Sequence, residues 1–210
     1  MTDDLINDEL AEFKAFFQKY GRFVVYGILA LVIGVGGTVY YRHYEARRAL
    51  LAAALYNEML GAASQQRFGL ATVAGHKLEQ GFSTSPYAGQ AALLLARLDY
   101  EQNHMPDAIS DLTFAAHHSR QWMVRTVARL RLAGLLLALG HPHKAWPYAH
   151  MAKPYGFKAM ALGLQAEILA REGQDAAADR AYTEALLLAP KKSTLTTLWR
   201  REQAQLSVSP

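Results

Sequence analysis

The 210-residue chain has no cysteine, so it carries no disulfide framework, and its redox compartment stays open between an oxidising envelope and the cytoplasm. Strand signals are missing too. There is no run of alternating β-branched residues, and Ala and Leu dominate, which predicts an all-α chain. No phosphate-cradling glycine loop and no nucleophile elbow is present, since the Gly34-x-Gly36-Gly37 cluster sits inside an apolar run. Charge is absent from residue 23 to residue 41, a stretch holding one hydroxyl-bearing aliphatic, Thr38. The start of the chain lacks the short basic region of a secretory signal. It carries Asp3, Asp4, Asp8, Glu9 and Glu12 instead, and the apolar run ends in Tyr-Tyr-Arg-His-Tyr where a cleavage site would need small residues.

What is present begins with that apolar run. As a helix at 1.5 Å per residue it spans about 28 Å, the thickness of a bilayer's hydrocarbon core. Arg22 and Arg42 bracket it, and Tyr26, Tyr40 and Tyr41 lie towards its ends, where aromatic rings prefer the headgroup level. Residues 23–41 therefore read as a single, uncleaved transmembrane helix in contact with the lipid bilayer. Gly27, Ala30, Gly34 and Gly37 recur at steps of three, four and three, forming a stripe on which a second membrane helix could pack closely. Ahead of the span, residues 1–22 form a short segment in which Leu10, Phe13, Phe16, Phe17 and Tyr20 make an amphipathic stripe suited to the membrane surface. Orientation cannot be counted out: Lys14, Lys19 and Arg22 on one side balance Arg42, Arg47 and Arg48 on the other.

Of the 22 Lys/Arg and 18 Asp/Glu, three and five precede Arg42, leaving 19 against 13 from Arg42 onward. That mild basic excess suits an anionic membrane surface or acidic clients and falls short of a nucleic-acid footprint.

From residue 42 to residue 210 the sequence reads as helices with an internal repeat. A first helix over residues 44–63 carries Leu51, Leu55 and Met59 on one face, and a second runs over 66–80, closed by Gly81. The last repeat, residues 159–190, is the clearest. Its Ala166, Leu169, Gly173, Ala178, Tyr182, Ala185 and Pro190 fall at the small, bulky, turn, small, aromatic, small and proline positions of a tetratricopeptide repeat. About 33 residues earlier stand Ala133, Leu136, Gly140, Ala145 and Ala152, and earlier again Leu95, Ala96, Ala108, Leu112 and Ala115. Small residues let two helices close, glycine makes the turn, and Tyr182 fills the space beside the next pair. One copy cannot bury its own face, so the copies must stack as a solenoid. Two departures stand out. Asp99 occupies a bulky position, for which the adjacent Tyr100 is expected to substitute by a small rotation. Pro147 is expected to kink or break the second helix of the middle repeat. Residues 193–206 read as a closing helix.

This layout resembles the YfgM-type ancillary subunits of the bacterial SecYEG translocon. The resemblance rests on the acidic start, Phe16-Phe17, the Gly-rich anchor, the Tyr40-Tyr41 exit and the final repeat from Leu164 through Gly173. It implies an inner-membrane protein with a cytoplasmic N-terminus and a periplasmic repeat domain. It also implies association with Sec translocon membrane subunits and with a membrane-anchored isomerase-like chaperone, and the concave face of the solenoid is expected to bind a partner chain or exported polypeptides.

Nothing in the sequence supports catalysis. His117-His118 point apart on a helix, and His141-Pro-His143 lies in a turn without a matching carboxylate set, so neither reads as a metal site. Glu167 and Glu172 lie on different faces and make no acid/base pair. The expectation is a non-enzymatic scaffold without cofactor, whose concave face is lined within residues 93–99, 125–132 and 162–168. A repeat scaffold for envelope assembly or signalling is the alternative.

Overall fold

The computed structural model describes residues 2–152, 156–190 and 193–206, with the backbone alone described for residues 2–20, 22, 24 and 28. Among these residues every regular element is a helix. They are α1 (Thr2–Ser64), α2 (Phe68–Gly81), α3 (Pro86–Glu101), α4 (Met105–His118), α5 (Trp122–Ala138), α6 (Pro142–Met151), α7 (Lys158–Arg171), α8 (Asp175–Leu188) and α9 (Thr194–Leu206). Two compact units divide the chain, Met1–Leu50 and Leu51–Pro210.

In the first unit the apolar stretch of α1 is uncovered at its described residues. Leu29, Val32, Ile33, Val35 and Val39 are each more than half exposed. The candidate span has a mean hydropathy of 1.4 and is not buried, so one helix near the N-terminus is long and apolar enough to cross a membrane. A core helix would be covered. The side chains of the amphipathic segment, Leu10 to Tyr20, lie outside the described residues.

The second unit is a row of helix pairs: the end of α1 with α2, then α3 with α4, α5 with α6 and α7 with α8, closed by α9. Alanine governs where they meet. Ala52, Met59 and Ala62 of α1 pack with Ala71, Ala74 and Leu78 of α2 and with Ala91, Leu95 and Leu98 of α3. The buried face of α1 thus runs through Ala52 at three- and four-residue steps, and Leu51 is 59% exposed, outside the face expected for it. A second core joins Ala96, Ala108, Leu112, Leu132, Ala133, Leu136, Ala145 and Ile168 across α3 to α7. A third joins Ala166, Tyr182, Ala185 and Trp199.

Local signals explain most boundaries. Ser85 caps α3, its Oγ accepting from the Tyr87 N–H at 3.2 Å, with Pro86 in the first turn. Ser193 caps α9 by accepting from the Thr196 N–H at 3.2 Å. Gly140 and Gly173, at φ +79° and +71°, make the turns inside the last two pairs. Gln66 also adopts a positive φ of 58°, which starts α2 two residues later than the pattern predicts. Pro147 lies inside α6 and neither ends nor breaks it. It is exposed, as is His143 four residues before it, so the carbonyl that loses its donor lies on the solvent side.

Asp99 is the main correction. It is buried, and Tyr100 stays 56% exposed, so no rotation of α3 brings the ring into the bulky position.

At the far end, α7 approaches α9 through Gly163, where a Cβ would meet the Trp199 indole directly. We expect Gly163→Ala to displace Trp199 and cost about 1–3 kcal/mol, measured by urea unfolding followed through tryptophan fluorescence. An unchanged midpoint would show that α9 yields without loss.

Candidate functional site

The first helices of successive pairs lie side by side, α3 against α5 and α5 against α7. A groove runs along this row. One part, about 500 Å³, is walled by Leu93, Arg97 and Tyr100 of α3 and by Arg131, Gly134 and Leu135 of α5. A second part, about 770 Å³, shares Leu93, Arg97 and Arg131 and extends past Gln90 and Leu94 to Trp122 and Met123. Volumes of this order suit a side chain or a short peptide segment.

The groove is apolar with a basic edge. Arg97 Nε donates to Glu101 Oε1 at 2.8 Å one turn away, which balances its charge at the rim. Arg131 has no carboxylate partner among the described residues. Arg125 Nη1 donates to the Ser119 and Arg120 carbonyls at 2.6 and 3.0 Å, fixing the turn between α4 and α5 that presents Trp122 and Met123. Gln90 Nε2 donates to Gln121 Oε1 at 3.0 Å across the same end. These features can hold an extended chain by apolar contact and by a cation for a carboxylate or carbonyl. They supply no nucleophile and no base set against one.

The residues singled out in the repeats occupy packing and turn positions rather than one site. Ala96, Ala108, Ala133, Ala145, Ala166, Ala178, Tyr182 and Ala185 are buried, Gly140 and Gly173 sit in turns, and Pro190 is exposed beyond α8. Gly27, Ala30, Gly34 and Gly37 are exposed on α1, and a Cβ on any of the three glycines would meet nothing. Of the stretches expected to line the concave face, residues 93–99 and 125–132 contribute to the groove through Leu93, Arg97, Val127 and Arg131. Residues 162–168 border a separate cleft through Leu162 and Gln165.

The histidine pairs serve local contacts. His118 stacks on Phe114, His117 meets the Tyr148 ring edge-on, and His143 Nδ1 lies 2.9 Å from Glu172 Oε1. Glu167 has its carboxyl raised above the usual range, by burial first and Glu202 second, with Arg171 opposing.

The polar cluster that the sequence reading missed lies between α2, α3 and α4. His76 and Glu79, three residues apart on α2, share a face with Nδ1 and Oε2 3.3 Å apart. Asp111 of α4 is 4% exposed, and Asp99 of α3 is within hydrogen-bonding reach of it. His104 stands beside Asp99, Nδ1 to Oδ1 at 3.8 Å. Burial pushes the Asp111 carboxyl up to about 8, reinforced by the Glu79 charge and then by its hydrogen bond with Asp99. Glu79 is raised as well, chiefly by burial. Two metal-capable triads result, His76/Glu79/Asp111 and Asp99/His104/Asp107. The signals were there in the sequence: an i, i+3 His/Glu pair, an acid at a bulky repeat position, and an acid beside Leu112 on a buried helix face.

The sequence profile of the family described as tetratricopeptide repeat-like domain matches residues 14–202. The chain belongs to this family, whose repeats form protein–protein interaction scaffolds. The match begins ahead of the apolar span, so it covers span and repeats together. Among solved structures the chain is similar to a thermophilic TPR protein of Thermus thermophilus, with 18% identity, a TM-score of 0.46, and coverage of 84% of this chain and 97% of that one. No curated protein matches the sequence.

A carboxyl raised on folding binds its proton more tightly in the folded state. Its contribution is complete below the ordinary carboxylate range and is lost as pH rises through the folded value. In chelator-treated protein we therefore expect the urea midpoint to fall between about pH 5 and pH 8.5, and Asp111→Asn to remove most of that slope. A midpoint that rises over this interval, or an unchanged slope in the variant, would contradict the assignment.

Proposed function

We propose that this protein is an inner-membrane scaffold accessory to the Sec translocon, with its N-terminus cytoplasmic and its repeat domain periplasmic. In this reading it assists exported proteins together with a membrane-anchored isomerase-like chaperone. The observation that carries the binding part is the groove along α3 and α5, which pairs apolar walls with Arg97 and Arg131. The export part is supported by the resemblance of the acidic start, the glycine-bearing span and the final repeat to translocon ancillary subunits, and by the exposed apolar helix on the same chain.

Tethering and the groove work together energetically. A membrane-held binder meets a membrane-held partner at high effective concentration, so contacts of modest strength suffice. The groove is accordingly shallow and mixed in character, suited to many segments of similar chemistry rather than to one ligand.

In membranes, a photo-crosslinker at Met123 is expected to label a Sec subunit or an emerging exported chain. Arg131→Glu, which reverses a groove cation with no carboxylate partner among the described residues, should lower that yield about tenfold, the loss of one charge-assisted contact. A reporter fused after Pro210 should be active in the periplasm. Activity confined to the cytoplasm, or crosslinks to no Sec component, would favour an envelope-assembly or signalling scaffold instead.

A further inference from the structure

We infer that the second unit carries a divalent transition-metal site, formed by His76 and Glu79 of α2 and Asp111 of α4 with Asp99 of α3 beside it. One ligand atom from each of the first three residues lies within 4.8 Å of the other two. Ligand atoms around a tetrahedral zinc stand about 3.3 Å apart, so closure needs a side-chain adjustment of about 1.5 Å at most.

The second, independent observation is an unmet need at the same place. Asp111 is 4% exposed, yet no amide, hydroxyl or cationic donor meets its Oδ2, and none meets Glu79 Oε1. Buried acceptors are ordinarily satisfied, at a cost of about 1–3 kcal/mol each when they are not. Among the described residues no lysine or arginine is in ion-pair reach of them. Among the described residues the cationic groups in ion-pair reach are His76 for Glu79 and His104 for Asp99. Three carboxyl groups at one helix junction without a strong cation are a place where a bound cation would relieve both burial and like charge.

The donor set defines the class of ion. One imidazole with two or three carboxylates suits zinc or manganese, and the absence of thiolate argues against soft ions. His76 is exposed while Asp111 is not, which gives the ion a path from solvent to its buried ligand. The second triad, Asp99, His104 and Asp107, continues from Asp99 towards solvent and would orient Asp99 against Asp111. Bound there, the ion clamps α2 to α4 across the side of α3, fastening the first two pairs of the row.

The test uses untagged full-length protein in detergent, stripped with chelator and titrated with zinc and, separately, manganese. One equivalent should bind, and at about 100 times Kd the Tm should rise by several degrees, reversed by chelator. Asp111→Asn keeps the shape and removes the buried charge. It should fold, match or exceed the stripped wild type in Tm at pH 8, and lose the metal response. His76→Gln, an exposed change, should weaken binding at least tenfold, whereas His117→Gln and His141→Gln should not. Absence of binding by either ion overturns the site, as does binding that survives both Asp111→Asn and His76→Gln. Binding lost only with His117→Gln or His141→Gln overturns it too, and a Tm that depends on pH but not on metal would show a shared proton in place of an ion.

Discussion

The structure of the second unit depends on how closely one helix can approach the next. A two-helix repeat buries its face only against its neighbours, and the distance between helices is set by the side chains at the crossing. Ala91, Ala92 and Ala96 in α3, Ala108, Ala115 and Ala116 in α4, and Ala128 and Ala133 in α5 are all buried. Such crossings contribute little apolar area apiece, so stability comes from the larger groups around them: Met59, Leu78, Leu95, Leu132, Ile168 and Tyr182. Alanine sets the geometry, and these residues hold it. The same close spacing brings α3 beside α5 and leaves a furrow between them, so the groove is a by-product of the crossing distances.

That division explains what could be read from the sequence. Small residues at three- and four-residue steps, with glycine where the chain turns, announce helix pairs before any coordinates exist. Ala166, Gly173, Ala178 and Tyr182 mark the last pair this way, and the apolar run from residue 23 marks a span by composition alone. The groove was less legible, because periodicity separates buried from exposed positions without saying which exposed positions face the next first helix. Leu93, Arg97 and Arg131 share a furrow only because α3 and α5 are adjacent. Leu51 was misplaced for a related reason. Either it or Ala52 completes an acceptable helical stripe, and close packing selects the smaller residue.

Asp99 illustrates a different limit. A repeat template treats an acid at a bulky position as an error to be repaired by the nearest large side chain, Tyr100. Rotating α3 to bury Tyr100 would move Leu95 and Ala96 out of their cores, and each is nearly inaccessible where it stands. The packing of those two residues outweighs the preference of one ring, so Asp99 stays inside. There it meets His104, just ahead of α4, and Asp111 of α4, with the like charge of Glu79 close by. Departures from a repeat consensus are better followed to the elements on either side than corrected within their own helix.

One helix carries both departures from a plain scaffold. α3 presents Leu93, Arg97 and Tyr100 to the groove and Asp99 to the polar junction with α2 and α4. Between them Leu95, Ala96 and Leu98 are buried in two separate cores. Interiors packed this closely do not deform continuously, so a change of charge at the junction is not passed to the groove as a gradual rotation of α3. An ion bound at the junction would act instead on whether the first pairs stay together. Groove shape belongs to the alanine crossings and the large side chains around them, and the acids that interrupt the pattern add a charge-sensitive junction beside it.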